Sequence, residues 1–162
     1  MKTIIIYCSK HGTTEKIAEM LSDKIGADDC KIVNLETETI NSIGSFERII
    51  IGGSIHAGRI QKKLTQFCAS NMEELIKKEM GLFLCCMIEE KKKQNEQFNN
   101  AFPYDLIRHA KATGIFGGEY IFFKMSAFEK ILIRIVAKTG ETVSKIDYDA
   151  IDNFVDKILS VG

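Results

Sequence analysis

Hydroxyl-bearing, basic and glycine residues gather in one short segment near the start of the chain, Ser9-Lys10-His11-Gly12-Thr13-Thr14. This segment follows an apolar run at residues 4–7 and leads into the amphipathic pattern of residues 15–21. At the start of a helix, backbone N–H groups lack intrahelical partners and the helix dipole is positive, so an anion is attracted there. The hydroxyls add donors, and Gly12 permits a backbone angle that other residues avoid. The segment therefore predicts a pocket for a phosphate monoester.

A second segment of unusual composition is Gly52-Gly53-Ser54-Ile55-His56-Ala57-Gly58-Arg59, which follows an apolar strand pattern. Its glycines would let the backbone approach a flat ligand closely, and His56 offers an imidazole beside it. The alternative is a tight turn between a strand and a helix, with His56 merely in solvent. A third loop is expected at residues 87–93. Because ligands bind beyond the carboxyl ends of parallel strands, the three loops are expected to form one site.

Two common nucleotide-binding patterns are absent from the sequence. Residues 9–14 lack the GxxxxGK[ST] pattern of P-loop nucleotide triphosphatases, since Lys10 precedes the glycine, and they lack the GxGxxG pattern of dinucleotide sites. A single phosphate held by hydroxyls indicates a mononucleotide cofactor. The cysteines have no metal-type spacing, and we expect reduced thiols that pack as small hydrophobic side chains, with no metal site. These cysteines are Cys8, Cys30, Cys68, Cys85 and Cys86.

Strand and helix patterns alternate along the chain, and this alternation must position the three loops. Apolar runs predict strands at residues 3–7, 30–35, 48–53, 81–88 and 111–117. Helical spacing of apolar residues predicts helices at residues 13–25, 61–71 (extended, or followed by a second helix, through residue 78), 89–109 (interrupted at Pro103) and 149–159. Five strands separated by helices imply a parallel sheet covered by helices on both faces. With 162 residues, the chain is expected to form a single domain spanning residues 1–162.

The overall charge is balanced, with 22 basic and 22 acidic side chains. No global field therefore steers the protein toward nucleic acid, and no nucleic-acid partner is expected. The sequence shows neither a secretory signal pattern nor a run of the roughly 18 apolar residues that a transmembrane helix requires. Together with the reduced cysteines, this favours a cytoplasmic location.

The spacing Ser9-x-x-Gly12-x-Thr14 after an N-terminal apolar strand resembles the [ST]-x-x-G-x-T phosphate loop of flavodoxins, which bind FMN. The later elements are similarly spaced along essentially the whole chain. The resemblance implies a flavodoxin-like three-layer α/β sandwich with strand order 2-1-3-4-5, and non-covalently bound FMN as the cofactor. It implies that the phosphate is held by Ser9, Lys10, His11, Gly12, Thr13 and Thr14. It also implies that the isoalloxazine ring is flanked on one side by Ser54, Ile55, His56, Ala57 and Gly58, and on the other side by Cys86, Met87, Ile88 and Glu89.

A narrower resemblance concerns residues 46–55 with Gly58, which are similar to the menaquinone-dependent protoporphyrinogen oxidases, flavodoxin-like enzymes of bacterial haem synthesis. Residues 130–133 and 139–142 are similar to that family as well. The chain departs from the family at Ala57, where an aromatic residue often precedes the glycine, and it has no tryptophan to stack on the ring. The resemblance implies an FMN-dependent oxidoreductase that takes electrons from a small, protoporphyrinogen-like donor and passes them to a quinone. No side chain is assigned as its acid or base.

Two other functions stay open from the sequence. One is a diffusible electron carrier of the flavodoxin type that docks on redox proteins, although such flavodoxins are usually acidic and this chain has no net charge. The other is a flavin-dependent quinone or metal-type reductase. In each case the flavin carries the redox chemistry. The redox partner is therefore expected at the ring edge between residues 54–59 and 87–90.

Residues 119–140 exceed what the alternation of strands and helices requires and form an insertion before the last helix. On a helix, Lys130, Arg134 and Lys138 would lie on one stripe, with apolar side chains mainly on another side. Such a helix suits an interface with anionic headgroups, which predicts peripheral contact through residues 122–138 with the inner face of the cell membrane. The alternative is a helix packed on the protein, whose lysines cover its solvent edge.

Overall fold

The structure is a computed structural model and describes residues 1–10, 12–55, 58–120 and 143–160, together with Ile131. The strands in this part of the chain are β1 (Thr3–Cys8), β2 (Cys30–Asn34), β3 (Arg48–Ser54), β4 (Glu79–Cys85), β5 (Ala112–Ile115), β6 (Glu119–Tyr120) and β7 (Val143–Ser144). The helices described there are α1 (Thr13–Ile25), α2 (Lys62–Ser70), α3 (Met72–Leu75), α4 (Lys91–Ala101), α5 (Tyr104–His109) and α6 (Tyr148–Leu159), with a short 3-10 helix at Ala27–Asp29. None of these described helices has the length and apolar content needed to cross a membrane.

The first five strands form one parallel sheet in the order β2-β1-β3-β4-β5. The register places Ile4 of β1 between Lys31 of β2 and Ile49 of β3. Every residue of β1 is buried. Because helices cover both faces of the sheet, its central strands β1, β3 and β4 are largely apolar and almost fully buried. The predicted α/β sandwich with strand order 2-1-3-4-5 is confirmed.

The sheet separates two apolar cores. Ile4 and Ile6 of β1 join the core under α2, α4 and α5, whereas Ile5 and Tyr7 join the core under α1 and α6. This division follows from the alternation of side chains along a strand. We call the two sides the α2–α5 face and the α1/α6 face. With both faces covered, the ends of the strands are the places that a ligand can reach.

Some element limits differ from the prediction. β4 ends at Cys85 instead of residue 88, so the third loop begins at Cys86. Of the two alternatives predicted through residue 78, a second helix is the one observed, because the backbone of Asn71 leaves the helical region (φ −116°, ψ 11°) and its side-chain amide donates to the Phe67 carbonyl oxygen at 2.8 Å. The predicted interruption at Pro103 separates α4 from α5.

A two-stranded antiparallel ribbon, which the sequence pattern did not predict, borders the insertion. Glu119 of β6 pairs with Ser144 of β7. Gly117 makes the turn after β5 with a φ of +70°, and a Cβ atom there would lie 1.8 Å from the Lys145 carbonyl oxygen. Strands of two residues show no readable alternation, which is why the pattern missed them. Residues 121–130 and 132–142, which are most of the insertion, lie outside the described residues.

Candidate functional site

Residues 9–14 form the turn between β1 and α1. Gly12 adopts a left-handed backbone conformation (φ 90°, ψ −16°), which is unfavourable for a residue with a Cβ atom. Its carbonyl oxygen accepts the first helical hydrogen bond, from the Lys16 N–H at 2.9 Å. The free N–H groups at the start of α1 therefore face this loop, at the carboxyl end of β1.

The Thr14 hydroxyl is the clearest sign that the loop suits an anion. Thr14 is fully buried beside the Cys85 thiol, and within the described part of the chain its Oγ1 atom has no hydrogen-bonding oxygen or nitrogen partner. An unpaired buried hydroxyl costs about 1–3 kcal/mol. Ser9 and Thr13 are also buried. These residues fit a phosphate group, whose oxygens would accept hydrogen bonds from the hydroxyls and from the helix N–H groups.

Glu119 of β6, at the start of the insertion, contacts this loop and the first turn of α1. Its Oε1 atom lies 2.9 Å from Lys16 Nζ and accepts a hydrogen bond from Ser144 Oγ at 2.8 Å. Its carbonyl oxygen accepts one from Thr13 Oγ1 at 3.4 Å. The hydrogen bond to Glu119 raises the pKa of Lys16. Sequence reasoning missed Glu119, because Lys16 and Thr13 are 103 and 106 residues away along the chain and no local pattern joins them.

Groups from the end of β2 and from α2 close the other side of the loop. The Cys8 thiol donates to Glu36 Oε1 at 3.2 Å, and Lys63 Nζ lies 3.3 Å from Glu36 Oε2. Burial, with a further contribution from Glu36, raises the pKa of Cys8 to about 12, so the thiol is protonated at neutral pH. The hydrogen bond from Cys8, helped by Lys63, holds the pKa of Glu36 below its ordinary value. The Asn34 amide binds the Ser9 backbone. Neither Asn34 nor Glu36 was among the predicted site residues.

The second loop begins where β3 ends. Ser54 Oγ accepts a hydrogen bond from Gln61 Nε2 at 3.0 Å, and the Ile55 N–H donates to the Cys85 carbonyl oxygen at 3.1 Å. Gly58 has a φ of +76° and open space where a Cβ atom would lie. The first part of this loop is thus fixed against β4, while Gly58 borders open space.

The glycines before the second loop have a packing role. A Cβ atom at Gly52 would lie 2.0 Å from the Phe83 ring, and one at Gly53 would lie 2.8 Å from the Ile60 side chain. We expected these glycines to bring the backbone close to a flat ligand. The structure corrects that interpretation, because core side chains fill the space that the two glycines leave.

The third loop follows β4 and is held by groups on both sides. The Cys86 N–H donates to the Gly117 carbonyl oxygen at 2.7 Å, and the Cys86 thiol donates to Gln97 Oε1 at 2.8 Å. Burial raises the pKa of Cys86, which keeps the thiol protonated and able to donate. Glu89 forms an ion pair with Lys145, and this contact holds the pKa of Glu89 below its ordinary value.

The remaining residues of the third loop contact neighbouring elements. The Ile88 carbonyl oxygen accepts a hydrogen bond from Gln94 Nε2 of α4 at 2.5 Å. Met87 packs against Gly118, where a Cβ atom would lie 3.3 Å from the methionine sulfur. The loop therefore lies between the start of α4 and the turn that leads to β6.

The strand register brings the three predicted loops to the same end of the sheet. Cys8 lies beside Gly53, and Ser54 lies beside Cys85, so the loops after β1, β3 and β4 start next to one another. The predicted site residues that the structure describes are Ser9, Lys10, Gly12, Thr13, Thr14, Ser54, Ile55, Gly58, Cys86, Met87, Ile88 and Glu89. The others lie outside the described residues: His11, His56 and Ala57.

A cleft of about 400 Å³ lies between the second loop, α2 and α4. Its lining combines apolar side chains with amides, a hydroxyl and a cation: Ile55, Gly58, Arg59, Ile60, Thr65, Gln97, Asn100 and Ala101. Since Gln97 also binds Cys86, the cleft adjoins the third loop as well as the second. In the described ranges, no group of three or more histidine, cysteine or acidic side chains is arranged to hold a metal ion.

A family model described as the flavodoxin domain matches residues 4–147. This chain belongs to the flavodoxin domain family. Among curated proteins it is similar to a protoporphyrinogen IX dehydrogenase [quinone] of Leishmania major, with 19% identity over 152 residues. That match covers 88% of this chain. The chain spans only 66% of the length of this relative.

Two solved flavodoxins are similar over almost the whole chain. A short-chain flavodoxin associated with a PDU bacterial microcompartment has a TM-score of 0.56 at 10% identity. A flavodoxin of Streptococcus pneumonia TIGR4 has a TM-score of 0.54 at 13% identity. Each comparison covers 98% of this chain and 97% of the other chain. Because the sequence identities are this low, the structural similarity establishes the fold alone.

FMN is the cofactor of flavodoxin domains, and it is the cofactor of this chain. The prediction of FMN from the spacing of Ser9, Gly12 and Thr14 is confirmed. The chain is therefore a flavoprotein of a family that transfers electrons to redox partners. When bound, FMN supplies the redox chemistry, and the protein supplies binding, orientation and electrostatics.

Proposed function

We propose that this protein is an FMN-dependent oxidoreductase that takes electrons from a small donor of the protoporphyrinogen type and passes them to a quinone. The cleft between the second loop, α2 and α4 carries the proposal, because a small substrate needs a binding space that protein-to-protein electron transfer does not need. The relative from Leishmania major supports the same reaction, since it is named a protoporphyrinogen IX dehydrogenase that uses a quinone.

In this proposal the predicted site residues keep their roles within one domain spanning residues 1–162. Residues 9–14 hold the phosphate, and residues 54–58 and 86–89 flank the isoalloxazine ring. Thr14 has the strongest structural support, because its buried hydroxyl lies beside the Cys85 thiol but has no oxygen or nitrogen partner among the described residues. The reacting edge of the ring would lie between the second and third loops, where the cleft opens.

The lining of the cleft suits a flat, largely apolar molecule with hydrogen-bond acceptors. Ile55 and Ile60 supply apolar walls, and Asn100 supplies an amide. Gln97 Oε1 already accepts a hydrogen bond from the Cys86 thiol, so the Gln97 NH₂ group is the part of this amide that can donate to a ligand. Arg59 suits an acidic substituent. In each cycle, an electron pair and two protons removed from the donor end on one quinone, which leaves as the hydroquinone, so that three cycles convert a porphyrinogen to a porphyrin.

An anaerobic turnover assay tests the proposal. FMN-loaded protein is mixed with protoporphyrinogen IX and a menaquinone analogue, and porphyrin fluorescence is followed together with flavin absorbance. We expect porphyrin to form in proportion to the protein added and faster than in buffer. If no porphyrin forms while the flavin still exchanges electrons with a partner protein, the enzyme proposal is wrong.

Two neighbouring asparagines of α4 provide a matched pair for locating the activity. Asn100 lines the cleft, whereas Asn99 is exposed and does not line it. We expect Asn100→Leu to lower kcat/KM by about 10-fold through loss of a substrate hydrogen bond. Asn99→Leu should leave it unchanged, and FMN affinity should be the same in both. Equal kcat/KM values for the two variants would remove the cleft from the mechanism.

A diffusible electron carrier is the second candidate, and the state of the ionisable groups at the third loop favours it. Glu89 is already in an ion pair with Lys145, and the Cys86 thiol has a raised pKa. Neither side chain is therefore a ready proton acceptor, and a carrier needs none at the ring. For a carrier, the same assay gives no porphyrin but rapid electron exchange with a flavodoxin reductase.

We also propose that residues 122–138 contact the surface of an anionic membrane. Lys130, Arg134 and Lys138 support this proposal, because their spacing would place them on one stripe of a helix and cationic side chains are attracted to anionic headgroups. Liposome flotation should show that the triple substitution to glutamate releases the protein from anionic vesicles. Neutral vesicles are the control, and unchanged flotation of the variant would contradict the proposal.

A further inference from the structure

Asn34 extends the pairing of β1 and β2 beyond the end of both strands. Its backbone pairs with Tyr7, and the next hydrogen bond runs from the Leu35 N–H to the Tyr7 carbonyl oxygen at 2.8 Å. Its side chain then binds both backbone groups of Ser9. The Asn34 Nδ2 atom donates to the Ser9 carbonyl oxygen at 3.1 Å, and the Ser9 N–H donates to Asn34 Oδ1 at 3.4 Å. The amide thus serves Ser9 in the way that a neighbouring strand would.

A third hydrogen bond fixes the orientation of this amide. Asn34 Oδ1 also accepts the Glu36 N–H at 3.0 Å, as in a turn closed by an asparagine side chain. The oxygen end therefore faces two N–H groups, and the nitrogen end faces a carbonyl oxygen. An aspartate could not satisfy this arrangement, because a carboxylate has no donor for the Ser9 carbonyl.

We propose that Asn34 is a positioning residue for the FMN phosphate. Ser9 opens the loop at residues 9–14 and is only 6% exposed. By holding both of its backbone groups, Asn34 sets the direction in which the chain enters the left-handed turn at Gly12 and the start of α1. The orientation of the loop hydroxyls and N–H groups follows from that direction. This inference rests on the proposed function, in which residues 9–14 hold the phosphate.

Asn34→Asp is the sharpest variant, with Asn71→Asp as its matched control. The first keeps the shape of the side chain but replaces the donor to Ser9 with an acceptor and adds a negative charge near the phosphate. Asn71→Asp makes the same replacement of an amide nitrogen by an oxygen. The Asn71 Nδ2 atom donates to the Phe67 carbonyl oxygen at 2.8 Å. Asn71 follows α2, which runs back toward the amino ends of the strands. Both variants therefore lose an amide-to-carbonyl bond, and only one loses it at the loop.

The measurement is the dissociation constant of the FMN-free protein for FMN and for riboflavin, which lacks the phosphate. We expect Asn34→Asp to weaken FMN binding by about 10-fold or more, from the lost bond and the added repulsion, and riboflavin binding by less than about 3-fold. Asn71→Asp should change neither constant. Raising the salt concentration should recover part of the FMN affinity of Asn34→Asp, because salt screens the added charge.

Asn34→Ala removes the same bonds without adding a charge, and it carries the prediction if Asn34→Asp does not fold. We expect Asn34→Ala to weaken FMN binding by about 5-fold with little effect on riboflavin. If the Asn34 variants bind FMN as well as Asn71→Asp does, or lose FMN and riboflavin equally, Asn34 does not position the phosphate.

Thr14→Val separates a failure of this inference from a failure of the site. If Thr14→Val lowers the preference for FMN over riboflavin and the Asn34 variants do not, the inference about Asn34 alone is wrong. If neither Thr14→Val nor the Asn34 variants lower it, the phosphate is held elsewhere, and both the inference and the assigned loop are wrong.

Discussion

The two ends of the sheet differ in whether certain polar side-chain atoms have hydrogen-bond partners within the protein. At the amino ends of the strands, both carboxylate oxygens of Glu79 are taken, by Arg48 Nε at 2.5 Å and by Lys111 Nζ at 2.8 Å. Lys111 also donates to the carbonyl oxygens of Ile158 and Ser160. The Glu79 carboxylate is thus satisfied by groups of the protein alone.

At the carboxyl ends of the strands, two buried polar atoms, Thr14 Oγ1 and Gln61 Oε1, have no oxygen or nitrogen partner in the described part of the chain. Unpaired buried polar atoms are uncommon in native proteins, because each one lowers stability. The two ends therefore differ in whether the protein itself satisfies these polar atoms.

A substitution in the turn after β5 tests whether the whole carboxyl end of the sheet is poorly packed. It has the largest expected effect on the free energy of unfolding. In Gly117→Ala, the new Cβ atom would lie 1.8 Å from the Lys145 carbonyl oxygen, at a φ of +70°. Because a backbone atom blocks the methyl group, the turn must move. We expect the free energy of unfolding to fall by about 3 kcal/mol or more, as measured by urea denaturation.

Gly58→Ala is the control for this experiment. Gly58 has a similar φ of +76° but nothing within 4 Å of its Cβ position. Only the unfavourable backbone angle remains, and we expect a loss of about 1 kcal/mol. Equal losses for the two variants would mean that Lys145 does not constrain the turn, and that this rim is looser than the structure shows.

Glu79→Gln changes the amino end of the sheet and should cause the next largest loss of unfolding free energy. It removes the carboxylate from Arg48, which is buried, and from Lys111. Removing one partner of a fully buried pair costs about 3–5 kcal/mol. Because the Glu79 side chain is 22% exposed, we expect a loss of about 2 kcal/mol in urea denaturation. FMN affinity should not change, and a clear decrease would show that the two ends are coupled.

The pH dependence of stability gives a smaller effect from the same residue. Burial raises the pKa of Glu79, but the hydrogen bonds from Lys111 and Arg48 outweigh it and hold the pKa below its ordinary value of 4.5. The folded-state pKa is thus the lower one, so the stability that this group adds is present above pH 4.5 and is lost as the pH falls through the folded-state pKa. Wild-type protein should lose more stability on acidification than Glu79→Gln, and parallel curves would contradict this.

Thr14→Val should have the smallest effect on stability, and in the opposite direction. Replacing an unpaired buried hydroxyl with a methyl group should leave the unfolding free energy of the FMN-free protein unchanged or raise it by up to about 1 kcal/mol. FMN affinity, measured by fluorescence titration, should nevertheless fall by about 10-fold.

Thr3→Val is the matched control at the amino end. The buried Thr3 hydroxyl has a partner, the Met1 carbonyl oxygen at 3.4 Å. Its removal should lower the unfolding free energy by about 1 kcal/mol and leave FMN binding unchanged. If both threonine variants lose the same stability, the contrast between the two ends is wrong.

The sheet was predictable from the sequence because parallel strands that are buried on both faces are apolar without interruption. Residues 48–53 were predicted as a strand, and β3 is Arg48–Ser54. The end of β4 was not predictable in this way, since Cys86, Met87 and Ile88 are as apolar as the strand before them. A contact from elsewhere in the chain, between the Cys86 N–H and the Gly117 carbonyl oxygen, holds the chain after β4 ends.

The place of residues 9–14 before α1 was predictable because the glycine and hydroxyls are contiguous in the chain, and the role of these residues in phosphate binding stays a prediction. Asn34 and Glu119 were not predictable, since each is an ordinary polar residue in its local context and its partners lie on other elements. Gly52 shows the opposite error. Its neighbours in sequence pointed to a ligand, whereas the Phe83 ring explains it. Side-chain contacts between distant segments are what local spacing does not contain.

The α1/α6 face takes its helices from distant parts of the chain. α1 ends at Ile25, and α6 begins at Tyr148, where it brings the Phe154 ring edge-on to Phe116 with 5.4 Å between centroids. During synthesis, the described helices of the α2–α5 face are complete once His109 has emerged, whereas α6, which shares one core with α1, is made later. Such late, long-range contacts slow folding and leave apolar surface exposed meanwhile. The core of the α1/α6 face is therefore completed only after α6 is synthesised, long after residues 9–14.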